Sequence, residues 1–401
     1  MFKKLIAKAT RDESSSSTGS DSMTSPGFPQ VPHGQINHNT TSSGFSQHGQ
    51  PKPMNQGINT SAPMAHASMG NAATHSHLSM HQSKQHPMWA PPLYAQPTTK
   101  HKAPNPSCST IDVAGLPVNI YGLNHLTPLS AGNVPEVCIS IHMHGRTGSA
   151  KNEDELVREL WQNTIGERQG LQGTNRVRDF LIATFDQRNH GARMTNKLGQ
   201  RTWKEGNPMH AVDMYGMIHG TALDVSFLVD MLPAYLFPEG ERVVSLFAVT
   251  GKSLGGHAAW QVLAHEPRIQ VGVPFIGTPD FQKLVAQRTR SSGLENGPPQ
   301  VPNSLRVLMR QIDPAMQPHS EVTPLNPFFG KKICVCSGED DKLVRWSFSE
   351  EFVKSLVVAP PNSEIARLSL EVFVQPETGH KVTPESMYDN VVIQNFPLTP
   401  I

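Results

Sequence analysis

The sequence contains no apolar run approaching 18 residues, so it offers no candidate membrane span. It carries almost no net charge, +1, which leaves no global field to draw the chain onto nucleic acid or acidic lipid. It is poor in cysteine. Cys108, Cys138, Cys334 and Cys336 do not make a disulfide framework, because Cys334 and Cys336 would sit on one face of a short strand, too close to bridge easily. A C-x-C pair without a second cluster is also a weak zinc signal. A reducing compartment fits these cysteines, and we expect a cytoplasmic protein. Residues 12–105 have few aliphatic side chains and no period of 2 or 3.6, so they cannot bury enough apolar surface to offset the entropy of ordering. We read 1–105 as a disordered low-complexity region. It holds nine of the nineteen histidines, including His75, His77, His81 and His86. Such a tract can bind metal loosely, but chance enrichment in a polar tail is the better reading. Acidic residues are scarce before about residue 110. The first eleven residues place Phe2, Leu5, Ile6 and Ala9 among Lys3, Lys4, Lys8 and Arg11. That is either a solvated tail or a short basic amphipathic helix of the transit-peptide kind, which keeps a mitochondrial location as the alternative.

From Cys108 onward the texture changes. Residues 109–122 alternate like two strands with a turn at Gly115. Strands are expected at 137–142, 180–185, 243–249, 271–276, 332–336 and 368–374. Helices are expected at 154–165, 209–236, 255–265, from Phe281 onward, and at 384–395. Regular alternation of the two predicts a mostly parallel sheet with helices on both faces. The segment 291–327, rich in Pro, Gly and Asn with a helical piece at 305–312, interrupts the pattern and reads as an insertion, a small lid over the site.

The strongest chemical signal is Phe247-Ala-Val-Thr-Gly-Lys-Ser-Leu-Gly-Gly-His257. It contains Gly251-x-Ser253-x-Gly255 between an apolar strand and a helical run. A nucleophilic serine must stand exposed on a sharp, strained turn at the end of a strand, and flanking glycines make room for that turn. The following helix aims its N-terminus at the same point and favours a developing oxyanion. Serine alone is a poor nucleophile at neutral pH, so a base and an orienting acid must accompany it. Downstream, Ile333-Cys-Val-Cys-Ser-Gly-Glu-Asp-Asp-Lys-Leu-Val344 runs a strand into a turn, and Asp341, three residues past Gly338, is the expected acid. Glu339 and Asp340 are its neighbours, and Asp280 in Gly277-Thr-Pro-Asp280 is a further candidate. His380, after the last strand, is the expected base. Backbone N–H groups of Leu254 and Arg146 are expected to form the oxyanion hole, the latter in the His144-Gly145-Arg146-Thr147 turn. His142 and His144 lie at i, i+2, but no carboxylate or third histidine completes a metal site, so a structural role is expected. Arg188 and Arg193 are candidates for an anionic substrate group, or else hold loops together through Asp186 and Asn189.

These motifs resemble the α/β-hydrolase superfamily from about residue 108 to the end. His144-Gly145, Asp186-x-Arg188-Asn189-His190-Gly191, the Ser253 motif, Asp341 and Gly379-His380 look like its esterase and peptidase-like members. The Asp186–Arg193 run and Gly206-Asn207-Pro208-Met209-His210-Ala211-x-Asp213 are similar to a fungal and bacterial group within it. The chain departs from the pattern at Arg345, where proline usually follows the valine. The resemblance implies one α/β-hydrolase domain over 108–401, needing no cofactor, that cleaves a small-molecule ester or related acyl bond. A serine peptidase of the same fold and a non-catalytic binding protein on this scaffold are the alternatives.

Overall fold

The computed structural model describes residues 103–170 and 178–388. The basic segment 1–11, the histidine tract and the rest of the low-complexity region to 102 lie outside the described residues, as does the expected final helix beyond 388. The described chain begins at a buried Ala103, whose carbonyl accepts from Gln162 Nε2 at 3.4 Å.

Eight strands form one sheet: β1 Cys108–Val113, β2 Leu116–Tyr121, β3 Glu136–Met143, β4 Asp179–Phe185, β5 Val243–Lys252, β6 Ile269–Phe275, β7 Lys332–Gly338 and β8 Leu370–Gln375. Their order is β1-β2-β4-β3-β5-β6-β7-β8. The β1–β2 hairpin and the β2–β4 pair are antiparallel, and every other neighbouring pair is parallel. The helices are α1 Asp154–Gly170, α2 His210–Leu236, α3 Leu254–His265, α4 Phe281–Ser291, α5 Asn303–Ile312, α6 Glu350–Ser355, α7 Glu364–Ser369 and α8 Pro384–Tyr388. None of them is long and apolar enough to cross a membrane, among the described residues.

The central strands are nearly continuous apolar runs because both faces are covered. Successive side chains part to opposite layers. Val137, Ile139 and Ile141 of β3 join Val249, Leu228, Trp260 and Phe352 in one core. Cys138, Phe180 and Ile182 join Ala248, Val273, Trp161 and Met387 in the other. Helices α2, α3, α4 and α5 therefore cover one face, and α1 and α8 the other. This is the α/β-hydrolase fold.

β5 extends three residues beyond its expected end. Thr250, Gly251 and Lys252 still pair with Val273, Pro274 and Phe275, so the strand is held straight up to the turn that matters. The 291–327 segment packs beside α3 and α4. Val301, Leu305 and Met309 are in the core, His265 Nε2 meets Ile312 O at 2.7 Å, and Ala315 N donates to Pro279 O at 3.1 Å.

Candidate active site

The carboxyl ends of β5, β7 and β8 lead into Ser253, Asp341 and His380. β5 ends at Lys252 and α3 begins at Leu254, leaving Ser253 alone to make the reversal. Its φ is 56° and ψ −108°, a conformation that costs a non-glycine residue about 1–3 kcal/mol and persists only where the surroundings enforce it. They do so here. Ser253 N donates to Phe275 O at 2.9 Å, and His257 N donates to Ser253 O at 2.9 Å. The flanking glycines are demanded by backbone approach. A Cβ on Gly251 would lie 2.2 Å from Gly255 O, and one on Gly255 would lie 2.1 Å from Met143 O.

Two loops bring His380 and Asp341 to this serine. The β7 and β8 ends are joined because Glu339 N donates to Gln375 O and Asp340 N to Thr378 O, both at 2.9 Å. Gly338 lies so close to the second loop that a Cβ there would be 2.3 Å from Thr378 O. His380 Nε2 is 2.8 Å from Ser253 Oγ, and His380 Nδ1 is 2.6 Å from Asp341 Oδ2. The Asp341 side chain is fully buried, whereas the His380 side chain stays 19% exposed. Asp341 Oδ1 accepts from Leu343 N at 2.8 Å and Val344 N at 2.9 Å, which locks the carboxylate toward the imidazole.

The rival acids have other partners. Asp340 is exposed. Asp280 is the N-cap of α4, its Oδ1 accepting from Lys283 N at 2.8 Å, with Lys283 Nζ at 3.6 Å from Oδ2.

The β3 turn lies against the serine turn through Gly255 N, which donates to His144 O at 3.1 Å. A Cβ on Gly145 would stand 3.7 Å from Ser253 Cβ. Arg146 and Leu254 thus flank the nucleophile from two chain segments. The bonds that join and shape these turns use Gly148 N and Gly255 N, and not the Arg146 or Leu254 amide. His144 stitches the β3 and β4 turns together: its Nδ1–H donates to Gly145 O at 2.8 Å and its Nε2 accepts from Gln187 N at 3.1 Å. His142, two residues earlier, has Nδ1 2.8 Å from Thr250 Oγ1, beside a Glu153–Lys252 ion pair of 2.6 Å. Burial lowers the pKa of both rings, that of His142 to about 4.

Arg188 and Arg193, named from sequence as candidates for an anionic substrate group, both pair with Asp224 of α2. The distances are 3.0 Å from Arg188 Nη2 and 2.8 Å from Arg193 Nη1. Arg193 Nη1 also donates to Asp186 O at 2.9 Å. Their charge is answered within the fold, and the tie runs to Asp224 rather than to the Asp186 carboxylate or Asn189.

Three further residues crowd the site without having been singled out from sequence. His257, one turn into α3, is buried with its pKa lowered to about 3, chiefly by burial, and its Nδ1 accepts from Thr278 N at 3.0 Å. His210, at the start of α2, donates from Nδ1 to Arg201 O at 3.0 Å and accepts from Arg288 Nη1 at 3.2 Å. Arg288 itself had a legible signal. It follows Phe281, Leu284 and Val285 at helical spacing, so it fills a core-facing position of α4 where an apolar residue belongs.

No family model matches the chain, and no curated protein matches it. Among solved structures it is similar to TT1662 from Thermus thermophilus, at 17% identity over 72% of this chain and 96% of that one, with a TM-score of 0.48. It is similar to the Pyrococcus furiosus esterase Pf2001 at 18% identity over 72% and 89%, with a TM-score of 0.39. It is also similar to an acylaminoacyl peptidase at 13% identity over 71% and 39%, with a TM-score of 0.42.

Proposed function

We propose that the protein is a serine hydrolase that cleaves a carboxylic ester or related acyl bond of a small molecule. One observation carries the reading: an unbroken hydrogen-bonded chain from Ser253 Oγ through His380 to a buried Asp341, with the serine on an enforced turn of positive φ. In this reading His380 Nε2 takes the Ser253 proton as Oγ attacks the carbonyl carbon. The carbonyl oxygen becomes an oxyanion, and the amides of Leu254 and Arg146 receive it. The tetrahedral adduct collapses as the leaving alcohol takes the proton from His380, which leaves an acyl group on Ser253. A water then repeats the sequence and frees the acid. Asp341 keeps the imidazole in the tautomer with its proton on Nδ1 and stabilises the imidazolium that forms. The domain spans 108–401 in the same reading, and residues 1–105 take no part in the chemistry.

A fluorophosphonate probe tests the nucleophile. We expect it to label the wild-type protein at Ser253, and Ser253→Ala to abolish both labelling and ester turnover while circular dichroism stays unchanged. Undiminished labelling of the alanine variant would remove Ser253 from the assignment.

A further inference from the structure

Two guanidinium groups, one in the turn packed against Ser253 and one on α4, have no bonded carboxylate among the described residues. Arg146 follows Gly145, the residue packed against Ser253. Its Nη1 donates to Gln200 O at 2.9 Å. Glu205 acts on it only at longer range, since both bonds to Glu205 Oε2 come from Thr202, from N and Oγ1 at 2.8 Å each. Arg288 donates from Nη1 to His210 Nε2 and to Met214 Sδ, a neutral ring and a thioether. Neither arginine forms an ion pair among the described residues. In both, Nε and Nη2 have no protein acceptor among the described residues, yet they are not among the sealed, unpartnered polar atoms, so they reach solvent.

The two groups belong to one locality. Each acts electrostatically on His210, and Arg288 also acts on His257, which feels His380 and Asp341. Burial, reinforced by the charge of Arg146, pushes Arg288 down to about 10. A partly buried cation without a counter-ion is costly, and folds normally supply one. This fold does so in the β4 turn, where Asp224 answers both Arg188 and Arg193. Arg146 and Arg288 are left open and are tied to consecutive residues: Arg146 Nη1 donates to Gln200 O at 2.9 Å, and His210, which accepts from Arg288 Nη1, donates to Arg201 O at 3.0 Å. A guanidinium presents paired N–H groups that match a carboxylate or phosphate.

We propose that Arg146 and Arg288 form an anion subsite next to Ser253, and that the substrate is an ester bearing a carboxylate or phosphate a few bonds from the scissile carbonyl. This rests on the hydrolase reading above and names its substrate class. The Arg146 amide would face the oxyanion while its side chain holds the fixed charge, so one residue would align both ends of the acyl group.

The test compares three 4-nitrophenyl esters with the full-length protein: the pentanoate, its hydrogen glutarate isostere, and an acyl chain of similar length ending in a phosphonate. We expect kcat/KM for an anionic ester to exceed that for the pentanoate by on the order of 10- to 100-fold, the worth of one or two charge-assisted hydrogen bonds. The ratio should shrink as salt is raised. Whichever anionic ester leads identifies carboxylate or phosphate as the source. In Arg288→Gln the ratio should fall toward 1, and Arg288→Lys should restore part of it by returning the charge. A ratio near 1 in a wild-type protein that labels with fluorophosphonate and turns over the pentanoate overturns the subsite and leaves the hydrolase standing. If no ester is turned over and nothing labels, the hydrolase reading fails. Calorimetry of Ser253→Ala with the glutarate, phosphonate and pentanoate esters then decides the subsite. Tighter binding of either anionic ester upholds it, and equal binding of all three overturns it.

Discussion

The turns after β6 and β7 begin with the same arrangement and end with opposite uses. Each places an aspartate three residues past a glycine at the carboxyl end of a parallel strand: Gly277 and Asp280 in one, Gly338 and Asp341 in the other. After Asp280 the chain enters α4 at once, and the orphan amides of that helix claim the carboxylate. After Asp341 no helix starts. The chain runs through Leu343 and Val344, whose amides hold one carboxylate oxygen and leave the other for His380. The β6 turn also packs against two buried titratable groups. His257 lies under Thr278, and the buried carboxyl of Asp313, which accepts from Phe281 N at 2.9 Å, is pushed well above the usual carboxylate range by burial and by the nearby Asp280. The comparison teaches that an acid at the right spacing becomes an orienting acid only where no helix terminus competes for it.

The largest effect that can break this comparison is on turnover. Asp341→Asn removes the acceptor that fixes the His380 tautomer, and we expect kcat to fall by roughly 10⁴, the cost of the equivalent change in a Ser-His-Asp protease. Asp280→Asn and Asp340→Asn should stay near the wild-type rate. A crippled Asp280→Asn with an active Asp341→Asn would reverse the roles of the two turns.

A smaller effect, on stability, sharpens the contrast between neutral and charged surroundings. Burial lowers His257 to about 3 and His142, His190 and His210 to about 4. These values lie below the unfolded value of about 6.5, so the native state binds fewer protons than the unfolded chain. Stability is therefore complete above about pH 6.5 and is lost as pH falls toward 4, by up to roughly 3 kcal/mol for each ring. Urea midpoints measured from pH 8 to pH 4 should decline through that window. A flat profile would show that these rings are not held neutral.

The smallest effect concerns the cap. Asp280→Ala should cost about 1 kcal/mol of stability by freeing the Lys283 amide, with turnover of the ester little changed. Thermal denaturation in parallel with an activity assay separates the two.

Much of the fold was legible because it rests on neighbours in the chain. The strand–turn–helix around Ser253 is written in contiguous residues: a branched apolar run, two glycines where a Cβ would come 2.2 and 2.1 Å from a backbone oxygen, and a helical pattern after them. The alternation that predicts both helical layers is local in the same way. The glycine-to-acid spacing favoured Asp341, with Asp280, which has the same spacing, as a further candidate. The arginines were less legible still. Arg188 and Arg193 looked available for a ligand because Asp224 stands more than thirty residues away in sequence, on the far side of a helix start. Arg146 was read only for its amide, and Arg288 drew no attention beyond the helix that carries it.

The sequence by itself therefore determined where the nucleophile stands and what backbone carries it, because steric limits on φ and ψ act between adjacent residues. Only the tertiary structure sets Asp341, and not Asp280, against His380, and leaves some arginines unpaired among the described residues. Those outcomes depend on which charges come within about 4 Å after the chain has packed, and Coulomb attraction falls off with distance in space, not with separation along the chain.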